Sequence, residues 1–422
     1  MNKHKYFIIF VCMFMQAIPF GIAQNIQPLF VPYVVRHFNF SLASFSLIFT
    51  FGALASSVCS PFLGKLFGKV NIKILFIIGT TLSSLGFFLF GLAHNLPEFY
   101  IYSAICQVGC VLFSGLGVPY VINNWFPGNG RGKALGLAFS GGSIGNVFLQ
   151  EITSHILATK GPSTSYLIFG VASIIISLPT ILLFIRLPKS EELDNNIDER
   201  LKDRKVLTKA FQGEGIKVVR KNPFFWTFAV GYALIGISIA ALSTQYATYF
   251  TNGLKLSPTL VGTLGSTFAV FCLVGNIGGG VLFDRLGTIK AMSIAGILEI
   301  TAVLGMLIAS KISVFAFLFS IAYGLCVYCY MSGPAFMATD VFGRKDSSVI
   351  LGTISLLFAI GFALGSTIFG SLVDHFGFKI AWIGMLGFIL VGYIILLLSI
   401  KKCKEENEKL EENIFKNEKQ TA

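Results

Sequence analysis

The chain has 422 residues, 54% of them hydrophobic and only 12% charged, with a formal net charge of +12. A soluble domain carries roughly a quarter charged residues, so a water-soluble globule is excluded. The positive balance then reads as loop charge facing anionic lipid headgroups, not as a nucleic-acid surface, and no aromatic-interleaved basic patch or zinc spacing argues otherwise.

In chain order, twelve apolar segments follow one another, each near the roughly 20 residues that cross a hydrocarbon core. They lie at 6–31, 42–63, 74–93, 99–123, 134–157, 164–187, 224–250, 259–282, 291–310, 314–337, 347–373 and 380–400. The first follows Lys3 and Lys5, lacks a short apolar region with a small-residue cleavage site, and reads as an uncleaved span. The cysteines inside these runs behave as small hydrophobes. Cys326 and Cys329 have the CxxC spacing, but no histidine or second pair accompanies them, so neither a metal nor a cofactor is expected. Cys403 lies past the last run and is expected to be a solvated thiol.

One long polar stretch, Pro188 to Pro223, interrupts the series and mixes Glu191, Glu192 and Asp194 with Lys202, Arg204 and Lys205. The expected organisation is a six-helix bundle at 1–187, a cytoplasmic central loop at 188–223, a second six-helix bundle at 224–400 and a charged cytoplasmic tail at 401–422. Of the 32 Lys and Arg residues, only Arg36, Lys160, Lys255, Lys311 and Lys379 fall on the side opposite the termini. By the positive-inside rule both termini are cytoplasmic. The halves echo each other. Pro61 to Lys69 follows the second span as Gly280 to Thr288 follows the eighth, an offset of 219 residues (280 − 61). Phe126 to Gly136 echoes Phe342 to Gly352 at an offset of 216 (352 − 136). The fold class is therefore an all-α membrane protein of twelve transmembrane helices in two pseudo-symmetric bundles.

The stretch Gly280-Val281-Leu282-Phe283-Asp284-Arg285-Leu286-Gly287-Thr288-Ile289-Lys290 stands between the eighth and ninth spans. Gly280 suits a close helix contact and Gly287 a tight turn. Asp284 offers an acceptor beside helix ends rich in unpaired N–H groups. Arg285 and Lys290 resist crossing lipid. This stretch resembles the short loop motif of the major facilitator superfamily, G-x-L-x-D-R-x-G-x-x-[KR], at every fixed position. Its echo in the first half is degraded: Lys65 stands where Asp284 stands, and Leu66 where Arg285 stands. Asn124-Trp125-Phe126-Pro127, Arg131-Gly132-Lys133-Ala134 and Thr339-Asp340-Val341-Phe342-Gly343 are similar to patterns of the oxalate/formate antiporter and monocarboxylate transporter branch.

The resemblance implies the major facilitator fold and rocker-switch alternating access. It also implies a central cavity lined by spans one, four, seven and ten. At about 100° per residue, Gln16, Gln24 and Gln27 share an arc of span one while Asn25 points away. Ser103, Gln107, Cys110 and Ser114 align in span four, Ser238, Gln245 and Tyr249 in span seven, and Tyr323, Cys326 and Tyr330 in span ten. The substrate-binding candidates are Gln24, Gln27, Gln107, Gln245, Tyr249, Tyr323 and Tyr330, with hydrogen bonding between helices as the structural alternative. Two acids sit inside spans, Glu151 and Glu299, and are the candidates for proton coupling. Gly280, Asp284, Arg285 and Gly287 form the candidate gating loop.

Oxalate/formate antiporters place basic residues in spans eight and eleven, and the aligned positions here are Asn276 and Phe358. A doubly charged anion would lose hydration there without a replacement. The expected function is secondary active transport of a small organic solute, a monocarboxylate and not a dicarboxylate. The expected partners are that solute, membrane lipid and protons, with no nucleic acid, and the expected state is a monomer in the cell membrane. Efflux of a hydrophobic or amphipathic compound, or a non-transporting sensor on the same scaffold, are the alternatives. No nucleophile motif or His/carboxylate pair points to an enzyme.

Overall fold

A chain this apolar must satisfy its backbone polar groups within each segment if it crosses lipid, and the α-helix does so at the available length. The computed structural model describes residues 3–126, 131–188, 219–343 and 347–421. The central-loop charges Glu191, Glu192, Asp194, Lys202, Arg204 and Lys205, and Gly130 and Arg344 of the echoed motifs, lie outside the described residues. Among the described residues nine helical stretches are long and apolar enough to span a membrane. Three of them contain a glycine with a left-handed backbone: Gly161 (φ 76°), Gly287 (φ 74°) and Gly377 (φ 79°). Each such glycine separates two spans, which brings the total to the expected twelve.

The spans are α1 (His4–Phe38), α2 (Leu42–Gly64), α3 (Ile72–Leu92), α4 (Leu96–Trp125), α5 (131–160), α6 (162–184), α7 (Pro223–Gly253), α8 (258–286), α9 (288–309), α10 (Ser313–Met331, continued by Gly333–Phe342), α11 (347–376) and α12 (378–421). Local chemistry sets their ends. Asn95 caps α4 by accepting from the Glu98 N–H at 3.1 Å, while the Glu98 carboxylate accepts from the His94 N–H at 2.7 Å. This is a reciprocal capping box. Gly287 holds φ 74°, ψ 170°, a region open essentially to glycine alone, so α8 can turn directly into α9.

The repeat is visible in the backbone. Gly68 and Gly287, both with positive φ, stand 219 residues apart (287 − 68), and Gly161 and Gly377 stand 216 apart (377 − 161). A side chain at Gly145 of α5 would strike the Ala17 carbonyl of α1, and one at Gly361 of α11 would strike the Ala233 carbonyl of α7. Both members of that second contact are displaced by 216 (361 − 145, 233 − 17). Small residues let these helix pairs cross backbone to backbone.

The chain forms two compact units. The first comprises Met1–Thr208, Ser243–Leu273 and Ser366–Phe378; the second comprises Lys209–Leu242, Val274–Gly365 and Lys379–Ala422. The first is filled by an aromatic cluster in which Phe30 stacks on Tyr166 at 3.9 Å and Phe90 on Phe99 at 5.7 Å. It also binds late segments of the chain to early ones. Asp374 of α11 accepts from the Leu42 and Ala43 N–H groups at 3.0 and 2.8 Å, beside Ser41, which takes the Ser44 N–H. A side chain at Gly370 would meet the Ala43 backbone at 2.8 Å, so the glycine is what lets α11 lie against the start of α2.

In the second unit α12 runs on past the membrane span as helix. Its Lys404 pairs with Asp340 at 2.7 Å and its Glu406 accepts from the Asn222 amide at 2.5 Å. Cys403 is buried in that contact (3% exposed) and not solvated as the sequence suggests. The helical continuation turns it onto the protein.

Candidate functional site

Helices α1, α4 and α7 share an irregularity that the other described helices lack: each contains a π-helical segment. These cover Gln16–Asn25, Val111–Gly117 and Tyr249–Gly253. The fourth helix of the set, α10, breaks at Val327 and again at Ser332. Pro19 lies inside the first π segment, Pro119 follows the second, and Pro334 follows the α10 breaks. Proline removes an N–H and crowds the carbonyl four residues back, and a widened turn relieves both. Such segments recur at functional sites. Together with the α10 breaks, they fall in the four helices that the resemblance assigns to the cavity.

In the first unit, Gln107 donates its amide to Gln24 Oε1 at 2.6 Å, and both side chains are half-buried. Ser114 donates to Gln16 Oε1 at 2.9 Å, where α1 and α4 are both π-helical. Gln27 is buried. Ser103 instead donates to the Ile48 carbonyl, and Cys110 lies 3.2 Å from Ser83 Oγ, so these two serve helix packing. Asn25 turns to a different neighbour: it donates to the Gly142 carbonyl of α5 at 3.1 Å, and its own carbonyl accepts from Gln150.

Gln245, fully buried, donates to Ser46 Oγ at 2.9 Å and to Ser366 Oγ at 2.7 Å, while its Oε1 has no partner. The adjacent Tyr246 donates to Gln150 Oε1 at 3.0 Å. Tyr249 is buried against the Phe378 ring at 5.3 Å. Glu151 is exposed and accepts only a long 3.4 Å bond from Thr263.

In the second unit, Tyr323 is buried and donates to the Ile239 carbonyl at 3.2 Å. Tyr330 stacks at 6.0 Å on Phe358, whose other neighbour is Tyr232 at 4.9 Å. An aromatic cluster thus occupies the position where the antiporter pattern carries a cation. Glu299 is fully buried with Oε1 2.7 Å from Ser238 Oγ, which takes Ser238 out of the α7 polar face. In the candidate gating loop, Asp284 and Arg285 are exposed and, among the described residues, form no ion pair. A side chain at Gly280 would meet nothing within 4 Å; the close approach expected there falls one residue earlier, where Gly279 faces the Tyr328 ring. The acid tied down at this end is Asp340, which accepts from Thr288 at 2.5 Å and from Lys404. Burial pushes its carboxyl up, but the bonds from Lys404 and Thr288 and the Lys404 charge outweigh that and leave it below the ordinary range.

The sequence profile of the Major Facilitator Superfamily matches residues 7–256 and 228–420. The uncharacterised MFS-type transporter YhjX of Escherichia coli is 25% identical over 77% of this chain and 75% of its own length. Monocarboxylate transporter 12-B of Danio rerio is 25% identical over 83% of this chain and 78% of its own. Among solved structures, the nucleoside transporter NupG superposes with a TM-score of 0.71 at 15% identity, over 94% of this chain and 99% of its own. That last likeness concerns the fold.

Proposed function

The chain belongs to the Major Facilitator Superfamily, and from that premise we propose that it moves a small monocarboxylate across the cytoplasmic membrane by rocker-switch alternating access. The observation that carries this reading is the Gln24–Gln107 pair, polar, half-buried and uncharged, between two helices loosened by π segments. Two amides offer a single carboxylate N–H donors without the fixed charges that a dicarboxylate needs. The Phe358 cluster in place of a cation supports the same preference, as does the likeness to a monocarboxylate transporter. In this reading the halves 1–187 and 224–400 rock as bodies and both termini face the cytoplasm. Efflux of an amphipathic compound is the second reading, favoured by the Tyr232–Phe358–Tyr330 stack. A sensor would bind without flux in liposomes.

The test is thermal stabilisation of the purified protein by pyruvate, lactate and oxalate, because a ligand at 100 times its Kd stabilises by about 2.7 kcal/mol. Pyruvate or lactate is expected to stabilise and oxalate not. Gln107→Ala should weaken the apparent affinity about tenfold, the worth of a hydrogen bond to a charged group. Stronger stabilisation by oxalate defeats the monocarboxylate reading. Unchanged affinity in both Gln107→Ala and Gln245→Ala defeats the site.

A further inference from the structure

Glu299 sits in the middle of α9, fully buried, inside the second unit. The Ser238 hydroxyl lies 2.7 Å from its Oε1 and 2.8 Å from the Ile235 carbonyl. A serine carries one hydrogen. If Glu299 were ionised, two acceptors would compete for that hydrogen, and Oε2, which has no hydrogen-bond partner, would be a bare charge in the interior. No cation among the described residues faces it, and the Tyr393 hydroxyl, though near the carboxyl, is outside hydrogen-bond geometry. Tyr232 of α7 and Tyr393 of α12 face the carboxyl, Cys329 of α10 borders both tyrosines, and Cys326 lies beside Tyr393. None of these is a base. A proton on Oε1 resolves the conflict: Glu299 donates to Ser238, and Ser238 donates to Ile235. A side chain at Gly296, one turn earlier, would press on the Tyr393 ring at 3.0 Å, so the glycine lets Tyr393 lie close to α9.

We propose that Glu299 is the proton-binding site of the transport cycle. It holds its proton in the arrangement described here and gives it to water when the contact between α9 and Ser238 opens; one O–H bond breaks and its electron pair stays on the carboxylate. Ser238 is the lever, because Gln245 lies seven residues (245 − 238) along the same uninterrupted helix. Proton site and solute site therefore share α7. This rests on the transporter reading above, in which Gln245 meets the solute. Glu151, exposed and loosely bonded, is left without a part in proton binding.

The full-length protein is examined in two ways. Infrared spectra at neutral pH are expected to show a protonated-carboxyl carbonyl band that disappears in Glu299→Gln, shifts in Ser238→Ala and persists in Glu151→Gln. A band that ignores both Glu299→Gln and Ser238→Ala, or no such band in the wild type, overturns the proposal. In proteoliposomes, a pH difference of one unit supplies about tenfold accumulation of pyruvate, beyond that of empty vesicles, to a carrier moving one proton per solute. Glu299→Gln should lose this accumulation, while Glu151→Gln, outside the proton site, should keep it within about twofold. Accumulation at the wild-type level in Glu299→Gln overturns the proposal and leaves the carboxyl as a static helix contact. If the wild type moves no monocarboxylate, the substrate reading fails, and the infrared result still decides the proton site.

Discussion

Asp340 shows how a single acid acts here. Its carboxylate takes a short bond from Thr288 at the start of α9 and pairs with Lys404 on the extension of α12. Its pKa is held below the ordinary 3.8. A depressed acid stabilises the fold at every pH above its ordinary value and loses that contribution as the pH falls through the lower, folded value. The pair is partly exposed, so solvent screening limits it to about 0.2–1 kcal/mol. Thermal denaturation in detergent should therefore show a small acid-side loss below pH 3.8 that Asp340→Asn abolishes. A loss of equal size in Asp340→Asn would show that the pair is idle. At this scale the sequence picked out Gln24, Gln107 and Gln245 as polar side chains inside apolar runs. It named no partner for Asn25, because Gly142 and Gln150, which bond it, lie 117 and 125 residues away. It missed Asp340 as an anchor, because the partner Lys404 lies in a tail read as solvated.

At the scale of elements, the spans were legible from hydropathy and the turns from glycine, since lipid leaves few choices for either. The roles of individual glycines were less so. Gly287 has φ 74° and ψ 170°, which a side chain enters at about 1–3 kcal/mol. Gly280 has open space on all sides. Gly287→Ala is therefore expected to lower the melting temperature measurably, while Gly280→Ala should leave it unchanged or raise it by the helix preference for alanine, about 0.8–1 kcal/mol. Equal losses in both variants would mean that Gly280 has a close neighbour in another conformation. The extension of α12 past Ile400 was not legible, because a charged run reads as water-facing until a partner for it is known.

For the whole molecule, the repeat offsets of 219 and 216 return in the paired glycines, so the duplicated plan was readable (287 − 68, 377 − 161). One consequence of that plan went unread. Gly370, Asp374 and Gly377 have the same spacing as Gly280, Asp284 and Gly287, and it is Asp374 that holds a helix start here. An acid at a helix N-terminus also meets the positive end of the helix dipole. Hydrogen exchange at the Leu42 and Ala43 amides should accelerate about tenfold in Asp374→Ala, matching roughly 1.4 kcal/mol of lost bonding. Unaltered protection there would show that the amides are shielded by burial and not by the carboxylate.

The seam that fastens α11 and α7 to the early helices is made of hydroxyls, amides and a carboxylate on backbone N–H groups. Water can replace every one of those partners, so parting the seam strands no group once it is wet. That seam is then a shallow resting place that thermal agitation can leave and regain. An oily joint of the same extent would instead bare apolar surface to water whenever it parted.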